Sequence, residues 1–480
     1  MNKWNTVIGL EVHVELSVKT KLFCSCLVTF GAEPNTQCCE ICLGLPGTLP
    51  SLNKQAVIYA VKAALALNGK ISSKMQFERK NYFYPDLPKA WQTSMLRFPI
   101  CRDGFLEISL PDNSIKNIRI HEIHLEEDAG KLFHDYKNGI TQIDYNRCGI
   151  PLIEIVTEPD FRTSEEVISF LTELRALLIA LDISDCKMQE GSLRVDINLS
   201  INKTDNLYLG TRTEMKNLNS FKSIRRAIQN EEKRQIYELE SGKTISQESR
   251  RWDDATGQSF SMRLKEGAQD YRYFPEPDLP PLILSSKFIE NIKKSIPELP
   301  RTKEKRFLSE YQLNPSQAKL LAETPSLALF FESVISYCHD PQETVNWIFG
   351  PIAKLLNERG IIWDKLTFSA KFLSDLILMV NSNTINRQTA AEVLNNIFGT
   401  NISPIEYVKE HHLELITDNS KIALIARQVI SQNPKSVTDY LSGKEKALKF
   451  LIGQCMHILH GQGDPLSVKS NLLKIIHKTN

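Results

Sequence analysis

Three short stretches of the sequence gather side chains that bind metals or move protons. In GLEVHVEL (Gly9–Leu16) polar and apolar residues alternate. A β-strand there would send Glu11, His13 and Glu15 to one face and Leu10, Val12, Val14 and Leu16 to the other. Two readings fit that face: a solvated sheet surface, or a site built from carboxylates and an imidazole. In RIHEIHLEED (Arg119–Asp128) the same alternation groups Glu122, His124 and Glu126, with Glu127 and Asp128 marking the strand end. Such a run of carboxylates repels itself unless cations or water screen it. It reads either as an exposed acidic turn or as a Mg²⁺ site, where carboxylates hold a hard cation that keeps several waters and takes substrate phosphates. If the two strands are neighbours, Glu11, His13, Glu126 and Glu127 converge on one cation.

The third stretch is a cysteine cluster. Cys24-Ser25-Cys26 and, after a spacer, Cys39-Glu40-Ile41-Cys42 supply four thiols from two tight turns, the spacing of a closed tetrahedral Zn²⁺ site. Four protein ligands leave no position for substrate, so such a zinc is structural, stapling the loop between the first strand and a following helix. Reduced cysteines without metal are the alternative, and Cys38 is a bystander in both. Cys101, Cys148, Cys186, Cys338 and Cys455 are scattered and read as buried thiols of a cytoplasmic protein.

Further polar faces line other strands: Arg194, Asp196 and Asn198 on one, Arg212, Glu214 and Lys216 on another. Lys216 leads through Asn217-Leu218-Asn219-Ser220 into a helix N-terminus, a place that favours anions. No G-x-x-x-x-G-K-[ST] loop occurs, and SGKEK at Ser442 lacks the preceding glycine. A nucleotide would have to bind by other means.

The elements that must position these groups are legible in outline. Helices are expected over Leu52–Asn68, closed by Gly69, and over Thr163–Asp182, where Thr163 and Glu166 have capping-box spacing and Val167, Leu171, Leu174 and Leu178 form an apolar stripe. A third runs from near Asn219 to Gly242. SLRVDINLSI (Ser192–Ile201) reads as a strand, and NYFYPDLP and YRYFPEPDLPP read as stiff, ordered loops packed on a sheet. After a proline-rich passage the pattern turns helical. The expected organisation is α+β: a mixed-sheet domain over 1–293, an all-α domain over 294–404 and a small helical tail over 405–480. The tail is basic, with Lys444, Lys446, Lys449, Lys469, Lys474 and Lys478. That suits either an RNA backbone or a solvated helix face.

The totals narrow the field. A chain of 480 residues, 42% hydrophobic, exceeds a single core. Its 58 Lys and Arg nearly balance 57 Asp and Glu, so any polyanion site is a local patch. No apolar run approaches a bilayer span and no secretory h-region opens the sequence.

Taken together, VIGLEVHVEL (Val7–Leu16), FGAEPN (Phe30–Asn35), CLGLPGTLP (Cys42–Pro50), RKNYFYPDLPKA (Arg79–Ala90), HLEEDAGK (His124–Lys131), PLIEIVTEPD (Pro151–Asp160), EGSLRVDIN (Glu190–Asn198), EMKNLNSF (Glu214–Phe221), DYRYFPEPDLP (Asp270–Pro280) and GQCM (Gly453–Met456) resemble the B-subunit family of aspartyl/glutamyl-tRNA amidotransferases. The resemblance implies a cradle-shaped catalytic domain, a helical domain and a tail that grips tRNA. It also implies a reaction in which ATP phosphorylates the side-chain carboxylate of Glu-tRNA(Gln) or Asp-tRNA(Asn) and ammonia displaces the phosphate. Carried over by motif, Glu11, His13, Glu126 and Glu127 would bind Mg²⁺. Cys24, Cys26, Cys39 and Cys42 would bind zinc, and Lys80, Arg194, Asp196 and Lys216 would contact phosphate or substrate unless they serve as structural ion pairs. The sequence holds no Ser-rich G-S-S stretch of the amidase type and no Cys/His glutaminase signature. Ammonia is therefore expected from a separate amidase (glutaminase) chain, the family's A subunit, with a small C subunit clasping the pair into a heterotrimer. The large inserted domain of a related archaeal protein has no room here. A zinc-stapled tRNA-binding scaffold is the competing reading, and the carboxylate set separates the two because a scaffold has no use for it.

Overall fold

The computed structural model describes residues 4–112, 114–135, 137–204, 208–264, 270–416, 418–459 and 461–478. The chain divides into two compact units, Met1–Lys303 and Glu304–Asn480.

The strands of the first unit are β1 (Trp4–Glu15), β2 (Lys70–Ile71), β3 (Glu78–Asn81), β4 (Trp91–Ser94), β5 (Cys101–Ser109), β6 (Ile115–Glu127), β7 (Lys131–Asp135), β8 (Ile140–Asp144), β9 (Pro151–Thr157), β10 (Leu193–Lys203), β11 (Thr213–Lys216), β12 (Glu248–Asp253), β13 (Gln258–Leu264) and β14 (Phe274–Pro275). Among the described residues nine of them form one sheet in the order β13-β12-β11-β10-β1-β9-β6-β5-β2. All its pairings are antiparallel except β11 with β12. The chain is thus α+β with a mixed sheet, as expected. β1 lies at the centre because its alternation suits a strand paired on both edges: Leu10, Val12 and Val14 sink into the core at no more than 1% exposure, while Glu11, His13 and Glu15 stay partly accessible on the other face.

Three long helices, α1 (Lys54–Ala66), α2 (Ser164–Ala180) and α3 (Phe221–Glu240), belong to this unit. Each starts where a side chain accepts from the first free backbone N–H groups: Asn53 for α1, Thr163 for α2 and Ser220 for α3. In α2 the apolar stripe is fully buried, but the capping box closes only on one side. The Glu166 N–H donates to Thr163 Oγ1 at 3.2 Å, whereas the Glu166 carboxylate accepts from the Arg162 N–H and pairs with Lys116. The two aromatic, proline-rich runs meet in a small sheet, β14-β3-β4. Asn81 N–H donates to Tyr271 O, and Arg79 grips Glu276 with two hydrogen bonds of 2.7 and 2.8 Å.

The second unit is helical. One apolar core gathers Phe307, Trp347, Leu376, Leu394 and Val408, and a separate one gathers Ile422, Leu451, Cys455 and Leu472. A five-residue π-turn, Ile348–Ile352, interrupts the first group where Pro351 cannot donate to the helical ladder. The Lys478 side chain of the basic set lies outside the described residues. No helix among the described residues is long and apolar enough to cross a membrane.

Candidate active site and cysteine centre

The polar face of β1 is completed by its sheet neighbours through register. β9 sets Glu154 opposite His13, and β6 sets His124 opposite Glu154; on the other side β10 sets Asp196 opposite Glu11. Residues paired across strands share a face, so these strands build one charged surface from alternate residues. Two clusters emerge. His13, Glu126 and Glu154 bring a ligand atom each within 4.8 Å of one another, and so do Glu11, Asp196 and Glu214. Their anchors on β1, His13 and Glu11, are about 7 Å apart along the strand.

Burial holds one carboxyl of each cluster, Glu126 in the first and Glu11 in the second, above the usual range. Glu126 is 3% exposed; burial and then the Glu154 charge push its carboxyl above the usual range, against a 2.6 Å hydrogen bond from Ser94 Oγ. Glu11 is pushed up by burial, then by Glu154, despite a 2.9 Å hydrogen bond from Asn198. His124 is buried, with Nε2 3.0 Å from Glu122 Oε1 and Nδ1 3.4 Å from Glu154 Oε2. Burial alone would lower this imidazole, but the two carboxylates prevail and raise it to about 10. Glu154 accordingly falls to about 2, the imidazoles outweighing its burial.

The four residues expected around one cation occupy three places. β9 lies between β1 and β6, so β6 reaches the site from one strand further out, with Glu126 alone of its final pair. Glu127, the next residue along the strand, points the opposite way. It pairs with Lys89, accepts from the Thr93 N–H at 2.9 Å, and lines a cavity of about 170 Å³ with Cys24, Cys42 and Trp91. Glu11 joins the other cluster. Of the expected phosphate or substrate contacts, Arg194 pairs with Asp128 at 2.7 Å, and Lys216 pairs with Asp196 at 2.6 Å and Glu214 at 2.8 Å. Lys80 sits over the Tyr271 ring, and its charge is felt by Glu126 and Glu154. Glu15 is lifted to about 9 by burial, then by the Asp128 charge and a hydrogen bond shared with it.

Sequence reasoning missed Glu154 and left Glu214 on an unassigned polar face. The signal for Glu154 was present: in PLIEIVT it is the one charge in an apolar strand, between Ile153 and Ile155, both fully buried.

In the loop between β1 and α1, Cys24, Cys26, Cys39 and Cys42 bring their sulfurs within 4.8 Å of one another. The backbone N–H of Cys39 donates to Cys42 Sγ at 3.2 Å, and the Lys21 ammonium lies 3.7 Å from the same sulfur. The Cys42 thiol is lowered to about 5, first by a hydrogen bond from Cys24. Four thiols in this space, with N–H donors and a cation beside them, match what a tetrahedral thiophilic metal requires.

Comparison with known proteins gives this geometry its relatives. The family model described as the GatB/GatE catalytic domain matches residues 6–290, and the one described as the GatB domain matches residues 329–476. The B subunit of aspartyl/glutamyl-tRNA(Asn/Gln) amidotransferase from Lachnoclostridium phytofermentans is 49% identical over 478 residues, covering all of both chains. Its counterpart from Caldicellulosiruptor saccharolyticus is 50% identical over 479 residues, covering 99% of this chain and all of the relative. With catalytic-domain and C-terminal models both matched and identity sustained from end to end, the chain belongs to the GatB family of tRNA-dependent amidotransferase B subunits.

Proposed function

We propose that this chain is the B subunit of a glutamine-dependent ligase that converts Glu-tRNA(Gln), Asp-tRNA(Asn) or both to the amidated forms, with ATP activating the side-chain carboxylate. The observation that carries the reading is the pair of half-buried acidic clusters on the polar face of β1. Each holds a carboxyl pushed toward protonation, Glu11 and Glu126, first by burial and then by the Glu154 charge, and a divalent cation offsets both. One imidazole and two carboxylates in the first, three carboxylates in the second, suit Mg²⁺ that leaves positions open for water and phosphate oxygens. When bound, Mg²⁺ neutralises phosphate charge and orients the γ-phosphoryl group for in-line attack.

The chain's own groups do the rest. A carboxylate is a poor electrophile and its phosphate anhydride is a good one, so the site has to bring two anions, substrate carboxylate and triphosphate, into contact. Lys80 and Lys216 stand at the edges of the clusters as fixed cations able to offset that repulsion. His13, Glu126 and Glu154 hold their positions because neighbouring strands fix them in register. The four-cysteine centre takes zinc and is structural, since all its ligands are protein sulfurs. Ammonia comes from an amidase chain, the A subunit, held in a heterotrimer with a small C subunit, and the basic tail over 405–480 binds the tRNA.

The test is tRNA-dependent ATP hydrolysis by the assembled complex. Glu126→Gln and Glu154→Gln are expected to lower it at least about a hundredfold while leaving glutamine hydrolysis by the partner and tRNA binding intact. Undiminished ATP hydrolysis in both variants would instead support the scaffold reading, which leaves these buried carboxylates without a purpose.

A further inference from the structure

We propose that His124 is the positioning residue of the first cluster: held between Glu122 and Glu154, it fixes the Glu154 carboxylate with one oxygen turned toward the cation. This inference rests on the metal reading of that cluster. Its basis is the division of labour between the two Glu154 oxygens. Oε2 faces His124 Nδ1 at 3.4 Å, whereas Oε1 faces His13 Nε2 at 3.6 Å, inside the cluster. One oxygen is thus occupied by a residue outside the ligand group, and the other is free to serve the ligand group.

His124 stands outside the group of His13, Glu126 and Glu154. Its Nδ1 is 3.4 Å from Glu154 and its Nε2 3.0 Å from Glu122, the latter without hydrogen-bond geometry, and the residue is 6% exposed. Glu122 is braced in turn by Arg102 at 3.3 Å from β5. The order Arg102–Glu122–His124–Glu154 therefore runs from the outer strands of the sheet inward to the cluster. Register supports the arrangement, because β6 and β9 set His124 directly opposite Glu154. A buried carboxylate beside a metal is useful only if its rotamer is fixed, and partners of this kind typically change metal affinity about ten- to a hundredfold when removed.

The experiment uses the full chain and Mn²⁺, followed by electron paramagnetic resonance titration. Glu154→Gln first identifies which bound Mn²⁺ belongs to this cluster. His124→Gln is then expected to weaken that same population by about ten- to a hundredfold, with unchanged circular dichroism. In the assembled complex, saturating Mg²⁺ is expected to restore most of kcat for tRNA-dependent ATP hydrolysis in His124→Gln, whose defect is affinity, but not in Glu154→Gln. Should His124→Gln misfold, Glu122→Gln decides the matter by shifting Mn²⁺ affinity in the same direction. If Glu154→Gln weakens Mn²⁺ binding while His124→Gln, or the deciding Glu122→Gln, leaves it unchanged, the positioning role is overturned and the metal site stands. If Glu154→Gln itself leaves all Mn²⁺ binding unchanged, the metal reading falls and takes this inference with it.

Discussion

At the scale of single residues, burial makes the strongest statements. Lys21 is 0% exposed, and its ammonium donates to the Tyr145 carbonyl at 3.2 Å and approaches Cys42 Sγ at 3.7 Å. No carboxylate is within ion-pair distance of it among the described residues. A lysine so deeply buried needs a counter-charge, and a metal-bound thiolate centre, with its excess negative charge, would supply one. Lys21→Met is therefore expected to release zinc to a colorimetric chelator about tenfold faster than the parent protein. Glu231 presents the opposite sign: it is fully buried and bound by Arg234, Thr213 and Gln235. Burial raises its carboxyl, but Arg234 and the hydrogen bonds outweigh that and bring it below 4.5. Its contribution to stability is complete above its unfolded value and disappears as acid carries the pH down through the lowered folded one. Glu231→Gln should cost about 3 kcal/mol at neutral pH, because it removes the buried charge that the half-buried Arg234 and Arg250 share. In urea unfolding the gap between variant and parent should narrow as the pH is taken below about 4.

At the scale of elements, the cysteine loop and the acidic strand end are joined by one turn. Gly149 has a φ of +84°; its N–H donates to Asp128 O at the end of β6, and its carbonyl accepts from Leu22 N–H in the loop before Cys24. Gly149→Ala would place a methyl in a left-handed conformation, against Lys21 Cδ at 3.4 Å. The expected cost is about 1–3 kcal/mol, measured as a lower unfolding midpoint. Chelating zinc should make the segment between β1 and α1 sensitive to limited proteolysis while the sheet persists, since the centre ties loop to loop and the sheet has its own core. These elements also show what a lone sequence can and cannot reveal. The alternation in β1, the caps at Asn53, Thr163 and Ser220 and the cysteine spacing are local signals, and local physics decides them. That β9 rather than β6 pairs with β1 is decided by long-range packing of strands that are similarly apolar on their inner faces. Grouping Glu127 with Glu126 gives adjacency in sequence more weight than the alternation that separates them in a strand.

At the scale of the whole molecule, independent cores set what can be removed. The sheet unit packs around residues from Ile8 to Ile292, and within the helical unit Ile422 to Ile476 form an apolar cluster distinct from the one containing Phe307 to Val408. Val408 is 1% exposed in that earlier cluster, so a cut at 405 would damage the middle of the chain, whereas ending the chain at 417 spares it. The removed segment carries exposed Lys421, Arg427, Lys435, Lys446, Lys449, Lys469 and Lys474, of which an RNA backbone can engage only those presented on a common side. Each phosphate interaction removed lowers the slope of log affinity against log salt by about 0.9 on duplex regions. Chains ending at 417, assembled with their partners, are therefore expected to keep tRNA-independent glutamine hydrolysis but to bind tRNA more weakly and with a shallower salt dependence. A truncated complex with the affinity and salt slope of the full one would place the tRNA interface elsewhere, and the tail's lysines would then be ordinary solvated helix faces.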